Sequence, residues 1–176
     1  MEKCGPNVMV WQVVTGETRW YIVGAYIAPE EEGTMETVVK AIRRRPTGAE
    51  LMVAGDLNAD ILAPEGRRAE SIATDLATEG LEDMAQNFMP RGRRWCRDRR
   101  TWEMRRKGQV VRSRTDYILG TDRRLFQNVA VRDPRHNTDH YMVLGCLPGA
   151  PLAKTTRYQG GQRRWLVAPP EASVDE

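Results

Sequence analysis

The stretch LMVAGDLN, residues 51–58, decides the fold. A continuous apolar run from Leu51 to Ala54 is followed by a glycine and then by the polar side chains of Asp56 and Asn58. A short apolar run without alternation is typical of a strand that is buried on both faces. The pattern therefore predicts a central strand that delivers a carboxylate and an amide to the loop at its end.

Upstream of this strand, the sequence predicts a β-hairpin and a helix. Residues Val8–Val14 and Trp20–Ile27 are rich in β-branched and aromatic side chains, and the TGET between them contains a glycine that suits a turn. The helix is expected to start with Thr34 as its N-cap and to end before Pro46. Its apolar positions follow the helical i, i+3, i+4, i+7 rule and are Met35, Val38, Val39 and Ile42.

Downstream, a second helix is expected from about Arg67 to Glu79, with Gly80 placed to terminate it. Its apolar face consists of Ala69, Ile72, Ala73 and Leu76. Later strands are predicted at Tyr117–Leu119, Asn128–Val131 and Tyr141–Leu147. Strands and helices that alternate at first and then give way to strands joined by polar loops predict a layered α/β domain with functional residues at strand ends.

Size, charge and cysteine usage restrict the class of protein. A chain of 176 residues is long enough for one domain with a hydrophobic core, and its net charge of +3 makes it mildly basic. The 3 cysteines are widely spaced without a C-x-x-C pattern, so neither a disulfide framework nor a zinc site is indicated. The sequence contains no signal-peptide pattern and no apolar segment of bilayer-spanning length. We therefore expect an intracellular protein, nuclear or cytoplasmic, without a membrane partner.

Positive charge is concentrated between Arg91 and Arg114, in the stretch RGRRWCRDRRTWEMRRKGQVVRSR. Clustered arginines neutralise phosphates, and interleaved tryptophans stack on bases. The candidate nucleic-acid-binding residues are Arg93, Arg94, Trp95, Arg99, Arg100 and Trp102. A solvated arginine-rich loop has the same composition, so charge alone does not decide between the two interpretations.

Several short stretches place polar side chains directly beside strand-like runs. Besides GDLN at 55–58, they are GAYIAP at 24–29, SRTDYI at 113–118 and TDH at 138–140. Taken singly, each has a simpler explanation. Asp56 can close an Asx turn with Asn58, and Tyr26 can be a packing aromatic. His140 alone can be a structural histidine, so the order of the motifs along one chain carries more information than any one of them.

In order and spacing, these motifs resemble the metal-dependent endonuclease/exonuclease/phosphatase superfamily, and within it the endonuclease domains of non-LTR retrotransposons. The family motifs G-D-x-N, S-x-x-D-Y-I and S-D-H match residues 55–58, 113–118 and 138–140, the last with Thr in place of Ser. The family's Y-x-P motif is represented at Tyr26, with one residue added before Pro29. The motifs lie in the family's order between residues 24 and 140, which makes chance agreement a poor explanation.

The resemblance implies a fold and a context. The fold is a partial four-layer α/β sandwich, in which two packed mixed sheets are flanked by helices, and it is expected to span residues 1–147. Residues 148–176 are rich in Pro, Gly and Arg and are expected to form a linker or disordered tail. Thr101 and Trp102 precede Asp116 as in the retrotransposon members, so a reverse transcriptase segment is an expected partner in the parent protein.

The resemblance also assigns roles to the motif residues. Asp56 would orient or deprotonate the attacking water, and Asn58 and Tyr26 would donate hydrogen bonds to the phosphate. Asp116 would hold the ring of His140, which in turn would donate to the phosphate. Asp139 would lie at the metal site, with Mg²⁺ or Mn²⁺ as the cofactor. Such a site hydrolyses a phosphodiester by activating water and neutralising the charge of the transition state.

Two elements of the family pattern are missing upstream of Tyr26: an Asn on the first strand, and a Glu that is the principal protein ligand of the metal. We therefore expect a domain without its N-terminal strands, with an incomplete metal site, impaired cleavage, and exposed apolar surface that favours association. Three functions stay open: a metal-dependent phosphodiesterase acting on DNA, a catalytically inactive nucleic-acid-binding remnant, and a phosphomonoesterase. The arginine and tryptophan cluster favours a polynucleotide over a small substrate.

Overall fold

The computed structural model of the chain describes residues 1–31, 33–88, 100–132 and 138–148. The elements in chain order are β1 (Glu2–Gly5), β2 (Val8–Thr15), β3 (Thr18–Tyr26), α1 (Thr34–Arg43), β4 (Glu50–Asp56), α2 (Gly66–Thr78), β5 (Glu82–Asp83), α3 (Met84–Phe88), β6 (Trp102–Arg106), β7 (Gln109–Ser113), β8 (Asp116–Gly120), a 3₁₀ turn (Arg123–Leu125), β9 (Asn128–Arg132) and β10 (Met142–Cys146). The predicted tail comprises residues 148–176, of which 149–176 lie outside the described ranges.

A six-stranded mixed sheet in the order β1-β2-β3-β4-β8-β5 forms the centre of the molecule. The hairpin β2–β3 is antiparallel as predicted, and it closes where Thr15 pairs with Thr18. Strand β4 runs parallel to β3, to which α1 connects it, and antiparallel to β8. The hairpins β9–β10 and β6–β7 each form a separate two-stranded sheet.

Different layers cover the two faces of the six-stranded sheet. Helices α1 and α2 pack on one face through a buried apolar cluster that includes Val23, Val38, Leu51, Ile72 and Leu119. On the other face, α3 and the hairpin β9–β10 enclose a second cluster, which includes Trp20, Met84, Ile118, Phe126 and Val129. This arrangement confirms the expected α/β class with packed sheets and flanking helices.

The start of α1 differs from the sequence-based expectation. Thr34 is the first helical residue and is buried. The N-cap is Gly33, which has φ 93° and no side chain that could cap the helix. The prediction of Thr34 as the cap is therefore wrong, because its side chain is part of the packed face. The residues of α1 that are buried are Thr34, Val38, Ala41 and Ile42, while Met35 and Val39 are half-buried.

The hairpin β6–β7 was not predicted as strands. Its turn is formed by Lys107 and Gly108, which both have positive φ values, 50° and 78°. This is the backbone geometry that matches the twist of a two-residue hairpin. The side chains of residues 104–112 are exposed on both faces of the ribbon, so the sequence lacks the apolar alternation that reveals a half-buried strand.

Candidate active site

Three of the predicted catalytic side chains stand in one row across the centre of the sheet. Tyr26, at the end of β3, pairs with Asp56 at the end of β4, and Asp56 pairs with Asp116 at the start of β8. Residues directly opposite each other on neighbouring strands point to the same face of a sheet, with side chains close enough to interact. The register of β3, β4 and β8 therefore brings a phenol and two carboxylates together at one end of these central strands.

Gly55 allows β4 to approach β3 closely just before the site. Its φ is 151°, and a Cβ built at this position would lie 1.8 Å from the carbonyl oxygen of Ala25. Only glycine accepts both conditions. Beyond Gly55 the backbone pairing continues, because Ile27 N donates to Asp56 O at 2.9 Å and Leu57 N donates to Thr115 O at 2.8 Å.

Asn58 folds back on Asp56. Its backbone N–H donates to Asp56 Oδ1 at 2.9 Å, and its Nδ2 donates to Asp56 Oδ2 at 3.3 Å. Asn58 has φ 47°, in the left-handed region that asparagine tolerates better than most residues. The Asx turn that the sequence allowed is therefore present, and the same turn holds the amide beside the carboxylate.

His140 contacts Asp116, as expected from the resemblance to the family. The distance from His140 Nδ1 to Asp116 Oδ2 is 3.0 Å. Thr115 Oγ1 donates to the same carboxylate oxygen at 2.9 Å. A carboxylate at one ring nitrogen sets the orientation of an imidazole, so Nδ1 of His140 is engaged and Nε2 is the nitrogen left for a second partner.

The donor atoms of Asp56, Asp116 and His140 all lie within 4.8 Å of one another. Burial raises the pKa of the Asp56 carboxyl, and the negative charge of Asp116 raises it further. The hydrogen bond from the Asn58 backbone and the nearby His140 act in the opposite direction. Two carboxylates this close together repel each other, so a proton or a cation between them lowers the energy of the site.

Asp139 and Trp102 make contact with each other next to this cluster. Trp102 Nε1 donates to Asp139 Oδ2 at 2.9 Å, and Glu103 N donates to Asp139 O at 2.9 Å. The side chain of Asp139 is exposed, and Tyr26 is 47% exposed. The role of Asp139 as a metal ligand and the role of Tyr26 at the phosphate both stay predictions.

Arg100 and Trp102 are the candidate nucleic-acid-binding residues that fall within the described ranges. Arg100 Nη2 donates to the Tyr141 hydroxyl at 3.2 Å, and its Nε lies 3.1 Å from Glu103 Oε2. Both side chains therefore have partners within the protein. The remaining candidates lie outside the described residues, and they are Arg93, Arg94, Trp95 and Arg99.

The sequence model of the Endonuclease/Exonuclease/phosphatase family matches residues 6–140. The chain belongs to this family. A comparison with curated proteins finds no sequence match. None of the helices in the part of the chain that the structure describes is long and apolar enough to span a membrane.

Solved structures with the same fold include nucleases and a phosphatase. The chain is similar to the endonuclease domain of TRAS1, a telomere-specific non-LTR retrotransposon, with TM-score 0.63, 21% identity and coverage of 81% of this chain and 64% of that one. A family protein from Leptotrichia buccalis has TM-score 0.60, 14% identity and coverage of 80% and 53%. The 3′ phosphatase NExo from Neisseria, bound to product DNA hairpin, has TM-score 0.57, 17% identity and coverage of 80% and 64%. The chain thus spans only part of the length of each relative.

Sequence reasoning gave no role to Thr101, which supports the site. Thr101 is fully buried, and its Oγ1 accepts hydrogen bonds from the backbone N–H groups of Thr115 and Asp116, both at 2.8 Å. Its carbonyl accepts from Tyr141 N at 2.6 Å, so one residue links the segment that carries Asp116 to the residue after His140. The sequence signal that could have pointed to Thr101 is the Thr-Trp pair at 101–102, which precedes Asp116 as in the retrotransposon members.

Proposed function

We propose that this chain is a metal-dependent phosphodiesterase that acts on DNA, of the retrotransposon endonuclease type. The observation that carries the proposal is the cluster of Asp56, Asp116 and His140, with donor atoms within 4.8 Å of one another and the imidazole 3.0 Å from Asp116. The likeness to a retrotransposon endonuclease and to a phosphatase bound to product DNA supports a polynucleotide substrate. A reverse transcriptase segment in the parent protein belongs to the same proposal.

In this mechanism the side chains of the site act on the attacking water and on the phosphate. Asp56, whose pKa is raised by burial, accepts a proton from the attacking water more readily than an ordinary carboxylate does. His140 is oriented by Asp116 and donates from Nε2 to a phosphate oxygen as negative charge develops there. Asn58 and the hydroxyl of Tyr26, a residue that is 47% exposed, donate to the remaining phosphate oxygens.

The donor set suits a hard divalent cation such as Mg²⁺ or Mn²⁺. Asp56 and Asp116 offer carboxylate oxygens, and Mg²⁺ commonly uses only one or two protein carboxylates. When bound, the cation neutralises phosphate charge and lowers the pKa of a coordinated water. Asp139 remains the sequence-based candidate for a further ligand.

We also infer that cleavage by this chain is impaired. Within the described residues, the acidic cluster contains no glutamate, and its imidazole is already engaged with Asp116. One of its two carboxylates, Asp116, is already bonded to His140, so most of the Mg²⁺ coordination sphere is left to water and phosphate and the ion is held weakly. The retained groups act on the phosphate and the water, so slow cleavage is expected rather than none.

Nicking of supercoiled plasmid by purified residues 1–176, with Mg²⁺ or Mn²⁺, tests the proposal. We expect EDTA-sensitive nicking that is slower than that of the TRAS1 endonuclease domain. The single variants Asp56→Ala and His140→Ala should each cost about as much as the double variant, because groups that act as a unit are strongly non-additive. The control Asp75→Asn, in the last turn of α2, should nick like the parent chain.

Other outcomes separate the competing functions. Robust nicking that depends on Asp56 and His140 would support the phosphodiesterase and contradict the inferred impairment. Salt-sensitive DNA binding without any nicking would instead establish a nucleic-acid-binding protein. Release of inorganic phosphate from a 3′-phosphorylated oligonucleotide, with the plasmid left intact, would identify a phosphomonoesterase.

A further inference from the structure

We propose that Arg68 is a positioning residue of the candidate active site, which ties together the loop after β3 and the loop after β4 through their backbone carbonyls. The loop after β3 comprises residues 27–31, and the loop after β4 comprises residues 57–63. The inference rests on the proposed function, because these loops directly follow Tyr26 and Asp56.

The guanidinium of Arg68 reaches both loops at once. Its Nη1 donates to Asn58 O at 2.7 Å. Its Nη2 lies near the carbonyl oxygens of Ala28, Ile27 and Leu57, at 3.1, 3.3 and 3.5 Å. The side chain is half-buried, so these hydrogen bonds are partly shielded from solvent. One side chain therefore satisfies carbonyls from two segments that are about 30 residues apart in sequence.

Arginine is the residue type that this geometry requires. A guanidinium presents five N–H donors in a rigid plane and accepts no hydrogen bond, so it can bind several carbonyl oxygens with little loss of side-chain freedom. Carbonyls beyond the ends of strands have no ladder partner and need a donor. A lysine carries the same charge on a single point and cannot span two loops in the same fixed geometry.

The position of Arg68 along the chain is electrostatically unfavourable for a helix. Helix α2 begins at Gly66, and its first turn contains no acidic residue. Arg67 and Arg68 therefore place cations at the positive end of the helix dipole, where anions are preferred. For Arg68, the carbonyl oxygens of the two loops offset this cost with opposite partial charges.

The contacts bear directly on the row of catalytic candidates. Asn58 has φ 47°, a conformation that persists when its surroundings hold it, and Arg68 binds its carbonyl oxygen. Asn58 in turn donates two hydrogen bonds to the Asp56 carboxylate. On the other side, Ile27 and Ala28 follow Tyr26 without an intervening residue. Arg68 therefore controls the spacing between the β3 and β4 ends of the row without contributing a reacting atom.

The test compares Arg68→Met and Arg68→Lys with the matched control Arg67→Met. Arg67 precedes Arg68 in the same helical turn and is exposed. Hydrogen–deuterium exchange of the whole chain should be at least about tenfold faster in both loops of the two Arg68 variants, because loops without the Arg68 hydrogen bonds open more often and expose their backbone N–H groups. Exchange in the hairpin β2–β3 should be unchanged.

The plasmid-nicking rate of the Arg68 variants at saturating DNA should fall about 10²-fold, with KM altered less than about threefold, because the catalytic side chains are displaced and not removed.

Three results would overturn the proposal: loop exchange like that of the parent chain, equal effects of Arg67→Met and Arg68→Met, or a change in KM alone, which would make Arg68 a DNA contact. Should Arg68→Met fail to fold, the comparison of Arg68→Lys with the parent chain decides in the same way. If the parent chain itself does not nick DNA, the proposed phosphodiesterase fails, and the exchange data still decide whether Arg68 holds the two loops together.

Discussion

At the scale of single residues, the carboxyl of Asp56 links stability to pH. Its pKa is raised above the ordinary 3.8, first by burial and then by the charge of Asp116. The folded chain therefore holds this proton more tightly than the unfolded chain does. The resulting stabilisation is fully present below pH 3.8 and is lost as the pH rises through the folded-state pKa.

Asp56→Asn should consequently be more stable than the parent chain at neutral pH, and this advantage should shrink as the pH falls toward the ordinary carboxyl range. The reason is that the amide cannot ionise beside Asp116. Thermal unfolding in EDTA across this pH range measures the effect, with Asp75→Asn as control. An advantage that stays constant with pH would exclude ionisation of Asp56 as its cause.

Thr101 makes a second prediction at this scale. Thr101→Val removes the oxygen that accepts the N–H groups of Thr115 and Asp116 and keeps the shape of the side chain. Buried donors without an acceptor should lower the free energy of unfolding by about 1–3 kcal/mol. Urea unfolding measures the loss, and Thr101→Ser, which keeps the hydroxyl, should lose less. Equal stability of the two variants would contradict the bonding argument.

At the scale of elements, the parallel pairing of β3 with β4 depends on Gly55. Gly55→Ala would place a Cβ 1.8 Å from Ala25 O, so β4 must separate from β3. We expect loss of the cooperative fold, measured by circular dichroism and thermal unfolding. The control Gly48→Ala, at φ 78° with no atom within 4 Å of the added Cβ, should cost only about 1–2 kcal/mol. A folded Gly55→Ala chain would show that the strands can shift.

The arginine-rich stretch makes a prediction about DNA affinity. If its arginines contact phosphates, affinity should fall steeply with salt, and replacing Arg93, Arg94, Arg99 and Arg100 with Ala should flatten the log–log slope by about one unit per lost contact. Fluorescence anisotropy of labelled duplex DNA at several salt concentrations measures the slope. As a control, the same number of substitutions at Arg19, Arg43, Arg44 and Arg45, on β3 and at the end of α1, should leave the slope unchanged. An unaltered slope in the first variant would favour the solvated-loop interpretation.

At the scale of the whole molecule, the second face of the sheet is covered unevenly. Helix α3 and the hairpin β9–β10 enclose the cluster around Trp20 and Ile118, whereas Met9 and Val13 on β2 are 40% and 39% exposed. Trp11 lies between them in sequence and is half-buried, with its ring packed over Gly24. Exposed apolar side chains grouped on one strand favour association.

We therefore expect the molecular mass in solution to rise with protein concentration, as measured by sedimentation velocity. The double variant Met9→Thr/Val13→Thr keeps strand-forming residues and removes apolar surface, so its association should be weaker. The control Val110→Thr/Val111→Thr changes two apolar residues that are equally exposed but point to opposite faces of the ribbon β6–β7, so that they form no joint patch. It should therefore associate like the parent chain. If both double variants behave alike, the face on β2 is not the site of contact.

Much of the architecture follows from local pattern. The hairpin β2–β3, strand β4, helix α2 and the strands β8 to β10 were all predicted, because alternation, helical periodicity and turn glycines are properties of neighbouring residues. The same holds for the identity of the polar residues at strand ends, since family motifs are contiguous. The Asp116–His140 contact followed from those motifs and is confirmed at 3.0 Å.

Only the tertiary structure decided how these pieces meet. The register that aligns Tyr26, Asp56 and Asp116 depends on pairing between strands distant in sequence, and no local pattern encodes it. Thr34 is buried instead of capping α1, because packing against the sheet outweighs its preference for an N-cap. Arg68 reads as a surface cation in an ordinary helical turn until two loops bring their carbonyls to it. Local propensities are set by residues a few positions apart, whereas hydrogen bonds between loops exist only after the sheet has brought their strands together.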